Sequence, residues 1–350
     1  MVETNCSGEV MSTASKSKPT LRTIAEATGF AVATVSRALA DDPRIAQKTR
    51  DRVRKVAGDI GYVPDRAAQR LRTGRTKVIS LLINPAHEYL GFTSEIIVGM
   101  TEALRGTGYT ISILPDLVGD DRLAAIQSLL THNLADGVVF TRTESFDPRV
   151  RLLLERDFPF VSHGRTEFST PHAFVDFDNE AFARAAVRHA VSQGRQRLCA
   201  ILPDPKYTFS QHLRYGFMAE VRAAGIDYVI PDFVTLDSDP RGISRAVFEL
   251  NASENAPDGY MCVGEVSAMA TLAALSDSGT TLDDISIMAK RASPVFDLYR
   301  PRIASLFEDL QEVGRLLGEL LLARINGADP AELGRLQQPI GSFESFSHDP

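Results

Sequence analysis

The residues of this chain best suited to chemistry are cations. Residues 18–77 carry fourteen lysines and arginines against six acids, a net charge of +8, whereas all 350 residues carry −7, which leaves −15 on the rest. A compact basic module on an acidic body suits a polyanion, because neutralised phosphates release their counterions. A solvated basic face gives the same count, so the pattern inside the segment decides. Other chemistries lack their residues. The chain has no GxSxG elbow, no Walker loop and no GxGxxG directly after a strand; Gly106, Thr107 and Gly108 precede a strand and read as a turn. Cys6, Cys199 and Cys262 are far apart and form no CxxC, so neither a disulfide framework nor a zinc site is expected. An enzyme is not expected, nor a cofactor or metal.

The elements that must position these cations follow from the periodicity. Residues 1–18 are rich in Ser, Thr and Lys without apolar period and read as a disordered tail. Thr20 can cap a helix with Leu21, Ile24, Ala25 and Thr28 on one face, and Gly29 supplies the positive φ that ends it. A second helix carries Val32, Val35, Ser36 and Leu39 at helical spacing until Asp41, Asp42 and Pro43 break it. A third is predicted over 47–59, burying Val53, Val56 and Ala57. Two short helices joined through a glycine turn, with a third behind them, make a helix-turn-helix unit over 19–63.

Beyond Lys77 the period changes. Buried strands are predicted at 78–83, 110–114, 137–140, 158–162, 198–202, 233–236, 260–263 and 285–288. Helices are predicted at 93–105, 122–131, 180–192, 211–223, 243–250 and 266–276. Such alternation gives parallel sheets covered on both faces, hence an α/β body of two doubly wound lobes, with a closed (βα)8 barrel as the structural rival. With 44% hydrophobic residues the body can bury a sizeable core. No run approaches 18 apolar residues and the N-terminus lacks a signal-peptide layout, so a cytoplasmic protein with no membrane association is expected.

The ordered text Thr20, Leu21, Ile24, Ala25, Gly29, Thr34 to Leu39, Lys48 to Arg50, Val53, Gly61 to Pro64, Ala67 to Leu71 and Thr73 to Thr76 resembles the LacI/GalR family of transcriptional regulators. Weaker matches, among them Gly99, Gly108, Asp136, Asn179, Gly216 and Ser286, extend it over roughly residues 19–345. The resemblance implies a helix-turn-helix domain over 19–63 and a hinge helix with linker over 64–77. A two-lobed, periplasmic-binding-protein-like effector and dimerisation domain follows over 78–345. Its N-lobe would take about 78–176 and 306–330, its C-lobe about 177–305 and 331–345. The partners implied are a near-palindromic double-stranded operator, a small carbohydrate and a second copy, in a dimer or a higher assembly at the nucleoid.

On DNA the resemblance implies that the second helix lies in the major groove. Arg37 can donate two hydrogen bonds to guanine O6 and N7, or instead bind phosphate. Val32 and Ala33 stand at the operator-choosing positions and can touch only thymine methyls. Thr20, Leu21, Thr34, Ser36 and Thr49 serve register, and Tyr62 reads as a phosphate donor or as core. Ala31 replaces the usual capping serine, and Ala46 is a similar departure. In the hinge, Ala68 and Gln69 accompany Leu71, which is the minor-groove wedge or else packs on the body. Asp65 replaces a common Asn there.

For the cleft the resemblance implies Phe92, Thr93, His163, Arg165, Gln211, His212, Arg214, Glu265 and Lys290. Glu265 stands where an Asp usually holds sugar hydroxyls, while His163 reads equally as a satisfied loop residue. Leu213 occupies the family's arginine position, with Arg214 one place later. Ala289, Lys290 and Arg291 replace Gly-x-Asp and would put two cations at the cleft rim. The Lys-bearing text is similar to α-glucoside regulators, implying a repressor of carbohydrate uptake and catabolism released by a plant-type disaccharide. The alternative is an anionic effector, a sugar phosphate or sugar acid, acting with a corepressor-dependent repressor or an activator. A sugar-binding protein without DNA binding is the different class, disfavoured by the basic module, and a nucleoid architectural protein would not need the acidic body.

Overall fold

The computed structural model describes residues 18–63, 70, 73–83, 91–116, 123–298 and 303–343. The expected tail, apart from Lys18, and the hinge residues Asp65, Ala68, Gln69 and Leu71 lie outside the described residues. The chain divides between Arg75 and Thr76 into two compact units.

The first unit holds α1 (Leu21–Thr28), α2 (Val32–Leu39) and α3 (Gln47–Asp59). Thr20 caps α1 reciprocally with Thr23, and Gly29 ends it at φ 77°. Asp41 adopts φ 60° directly before Asp42 and Pro43, which closes α2. Ile24, Ala25, Val35, Ala38, Val53 and Ala57 form its buried core; Val56, expected among them, is only half-buried and packs against it. Ala31 and Ala46 leave α2 and α3 without a side-chain cap.

The second unit contains, in order, β1 (Val78–Ile83), α4 (Phe92–Leu104), β2 (Thr110–Pro115), α5 (Ala124–Thr131), β3 (Gly137–Phe140), α6 (Pro148–Glu155), β4 (Phe160–His163), β5 (Phe174–Phe177), α7 (Asn179–Ser192), β6 (Arg197–Ile201), α8 (Thr208–Ala224), β7 (Asp227–Val229), α9 (Pro240–Asn251), β8 (Gly259–Cys262), α10 (Glu265–Asp277), β9 (Ser286–Arg291), β10 (Ala304–Phe307), α11 (Leu310–Ile325) and β11 (Gly334–Gln337). The strands form two open, wholly parallel sheets, β11-β5-β4-β3-β1-β2 in the N-lobe and β10-β9-β8-β6-β7 in the C-lobe. Two separate sheets exclude the barrel. The inner strands of each are buried on both faces by its helices, which is why they read as continuous apolar runs. Close helix packing needs particular glycines: a Cβ on Gly99 of α4 would run into the Gln311 carbonyl of α11, and one on Gly216 of α8 into that of Glu180.

Two expectations are corrected here. Residues 233–236 form no strand. Val234 and Leu236 are buried in alternation, but Ser238 Oγ accepts from Thr235 N at 3.0 Å and the segment turns; the edge strand is β7, paired with β6. Residues 331–345 do not all belong to the C-lobe. β11 joins the N-lobe sheet in register Gly334↔Phe174, where the missing Cβ leaves room for the Phe174 ring. The chain rejoins the C-lobe only at the Phe307↔Ile340 bridge, with Phe343 in that lobe's core. The C-lobe strand β10 also runs to Phe307, past the expected boundary at 305. Three crossovers, near 178, 309 and 339, thus link the lobes among the described residues.

Candidate nucleic-acid interface and ligand cleft

In the first unit α2 turns two faces to different surroundings. Val35 and Ala38 are buried, whereas Ala31, Val32, Ala33 and Arg37 are exposed and Thr34 and Ser36 half-buried. Spacing of four residues puts Ala33 and Arg37 on one outward face, and Val32 is exposed to its side. Thr49 in the first turn of α3 is half-buried. Leu21 and Tyr62 pack against the three-helix core, and the Thr20 hydroxyl accepts from Thr23 N at 3.3 Å. Several cations of the module serve the fold itself. Arg50 and Arg54 pair with Asp41, and Arg44 pairs with Asp42 at 2.7 Å. Hydrogen bonds from the Arg44 side chain and backbone hold the Asp42 carboxyl down at about 2. Some of the fourteen cations are thus answered by the module's own acids, which the net +8 already subtracts.

In the second unit the C-terminal ends of the two sets of strands face each other. On the N-lobe side the Phe92 ring, at the start of α4, lies 5.9 Å from that of His163, at the end of β4; Thr93 beside it is half-buried. His163 Nε2 lies 3.7 Å from Glu308 Oε1, across the lobes, and Glu308 Oε2 lies 2.9 Å from Lys290 Nζ. Lys290 also donates to Asn179 Oδ1 at 3.2 Å and sits over the Phe177 ring. Burial alone would raise the Glu308 carboxyl, but the Lys290 charge first, and the nearby His163 ring second, outweigh it and hold the group at about 2.

A second cluster joins Arg165, whose Nε donates to Asp176 Oδ2 at 2.7 Å, to His212 Nδ1 of the opposite lobe at 3.3 Å. A guanidinium only donates, so His212 Nδ1 is the acceptor, and its proton sits on Nε2. Burial first, and the Arg165 charge second, lower the His212 pKa, which favours that neutral ring. Gln211 is exposed and donates to the Pro205 carbonyl at 3.4 Å. Arg214 is two residues, about 200°, round α8 from His212 and so lies off the face that meets Arg165.

The structure corrects the readings of two cleft residues. Lys290 does not stand at the rim as a free cation; its side chain is 5% exposed and paired with Glu308. Glu265 is wholly buried, and its Oε1 accepts from Ala292 N at 3.0 Å, Ser293 N at 2.8 Å and Ser293 Oγ at 2.8 Å. It brackets the loop after β9 from within its own lobe and is not presented at the cleft surface.

Sequence reasoning did not name Arg142, Tyr207, Asp237, Asp176 or Glu308, although all stand in or around this cleft. Arg142 pairs with Asp237, and its guanidinium lies over the Tyr207 ring at 5.3 Å. The available signal was a cation or aromatic just beyond a buried strand; the pairing itself joins residues far apart in the chain. The Cys199 and Cys262 thiols are buried and pushed up by desolvation, Cys262 to about 12, which leaves them poor nucleophiles. No helix among the described residues is long and apolar enough to cross a membrane, and no group of three metal-ligating side chains occurs among them.

Comparison with known proteins agrees with both units. Residues 20–65 match the bacterial regulatory proteins of the lacI family, and residues 76–338 match the periplasmic binding proteins and sugar binding domain of LacI family. The HTH-type transcriptional regulator CelR of Thermobifida fusca is 27% identical over 322 residues, covering 89% of this chain and 93% of that protein. The structure of a transcriptional regulator CelR-cellobiose complex superimposes with TM-score 0.66 at 22% identity, covering 92% of this chain and 98% of that one. The lac repressor dimer bound to operator and the anti-inducer ONPF gives TM-score 0.76 at 18% identity over 92% and 97% of the two chains. At those identities the two structures show a shared fold. With its basic helix-turn-helix unit and two-lobed body both matched in their expected order, the chain belongs to the LacI family of DNA-binding transcriptional regulators.

Proposed function

We propose that this regulator represses genes of carbohydrate uptake and catabolism from the cytoplasm, binds its operator as a homodimer, and releases it on binding a neutral disaccharide. The observation that carries the choice of effector is charge balance. The three cleft cations Arg142, Arg165 and Lys290 each face a carboxylate, Asp237, Asp176 and Glu308. An anionic ligand would have to displace a partner, while a neutral sugar needs only donors, acceptors and apolar ring faces. Phe92, Thr93, His163, Arg165, Gln211 and His212 are the groups we assign to it, with Glu265 and Lys290 acting from behind and Arg214 outside. The cellobiose named for the CelR complex supports a disaccharide. The text around Lys290 favours an α-glucoside. On DNA we assign base reading to Val32, Ala33 and Arg37, and backbone contacts to Thr20, Thr34, Ser36, Thr49 and Tyr62. For the dimer, a depression of about 820 Å³ between α4 and β2, lined by Ile97, Tyr109, Ile111 and Ile113, offers an apolar face to a second copy.

A thermal-shift panel of maltose, sucrose, trehalose, cellobiose, glucose 6-phosphate and gluconate tests the effector, with gel shifts on operator DNA for each hit. The expected result is a raised Tm with a neutral disaccharide that also weakens DNA binding. Response to the anions alone overturns the neutral reading, and tighter DNA binding with ligand makes the sugar a corepressor.

A further inference from the structure

The lobes touch along a seam that no ligand is needed to explain. Thr208 N donates to the Thr143 carbonyl at 3.0 Å, and Glu144 bridges Tyr207 in antiparallel fashion. Beside them Arg142 reaches from the end of β3 to Asp237 of the C-lobe, with Nη1 3.4 Å from the Tyr207 hydroxyl. We propose that Arg142 and Asp237 form a latch that sets how often the two lobes are closed in the absence of any ligand.

Three features support a latch over an incidental ion pair. Arg142 is aimed in advance: it holds φ 57°, a left-handed conformation that a bulky residue adopts only when its surroundings impose it. The imposing group is Arg149. This guanidinium is wholly buried, bonded to Asp147 and to Asp116, and donates from Nη2 to the carbonyls of Thr141 and Arg142 at 3.1 Å each.

The two partners also differ. The Arg142 side chain is 8% exposed on a loop whose carbonyls Arg149 holds, while that of Asp237 is 24% exposed on an irregular segment, so the carboxylate is the partner that can leave and be hydrated. Position supplies the leverage. The crossovers leave the N-lobe sheet at β5 and β11, whereas β3 lies two strands in from β5. Rotation about the crossovers therefore parts the seam at Arg142. A hydrogen-bonded, partly desolvated ion pair there favours the closed state more than water-exposed ions would.

The test measures opening without ligand, so its failure leaves the sugar reading untouched. In full-length protein with Cys6→Ser, spin labels are placed at Glu155→Cys and Ala223→Cys, exposed positions near the ends of α6 and α8, the helices that follow the seam in each lobe. The distance distribution is compared for the parent, Arg142→Ala, Asp237→Asn and the exchanged Arg142→Asp/Asp237→Arg. The expected result is a several-fold larger long-distance population in both single variants, reversed in the exchange. Asp237→Asn keeps size and exposure, so it remains readable if Arg142→Ala misfolds. Superimposable distributions for the parent and Asp237→Asn overturn the latch, and so does an exchanged protein as open as the single variants.

Discussion

Helix α2 and the cleft use polar side chains in opposite ways. On α2 the residues assigned to DNA lie within eight positions, stand exposed (Val32, Ala33, Arg37) or half-buried (Thr34, Ser36), and are backed by a small core that does not involve them. In the cleft the polar residues come from positions 93 to 308 and are mostly spent on one another: Glu308 holds Lys290, Asp176 holds Arg165, and Glu265 holds residues 292 and 293. Removing a side chain from the first region should cost binding and leave stability alone. Removing one from the second should cost stability first.

The largest test of that contrast is Glu308→Ala, which strands Lys290 as a buried charge and should destabilise the body by about 3–5 kcal/mol in urea unfolding. A Lys290→Met/Glu308→Leu double variant should recover most of the loss. Because the Glu308 carboxyl is held at about 2, below its ordinary value of 4.5, its stabilisation is complete above the ordinary carboxylate range and lost as pH falls from there toward 2. Glu308→Gln should flatten that part of the stability profile; an unchanged acid slope would assign it to other groups.

Next in size, Glu265→Gln weakens three bonds to residues 292 and 293 and should cost about 1–3 kcal/mol of body stability. Equal stability with abolished sugar binding would return Glu265 to the ligand. Arg37→Ala should leave the melting temperature unchanged and relax discrimination at one symmetric guanine by roughly 1–3 kcal/mol per half-site. Uniform weakening on all sequences would assign Arg37 to phosphate. The smallest effect is a gain: Ala31→Ser restores a cap to α2 and should stabilise the module by about 0.5–1 kcal/mol.

The same contrast explains what was legible beforehand. α1 to α3 follow from local signals, the Thr20 cap, Gly29 and the break at Asp41, and agree with their expected bounds. Strands β1 and β3 read correctly because both faces are buried. β11 did not, since Arg335 and Leu336 are exposed and its place depends on β5, some 160 residues earlier. Helix α6 carried signals that went unread, the Asp147 cap and Pro148 in its first turn. Lys290 looked like a free cation because Glu308, which neutralises it, reaches it only through folding. Charge type is written in the chain, but whether a charge is available is decided by packing.

The most direct measurement is selection of duplexes from a randomised pool by the full-length protein, followed by titration of the recovered site at several salt concentrations. The account predicts a near-palindromic site carrying a symmetric guanine pair, bound by two copies, with affinity falling steeply as salt rises. Recovery of no shared symmetric sequence, or of binding that is flat with salt, would contradict it.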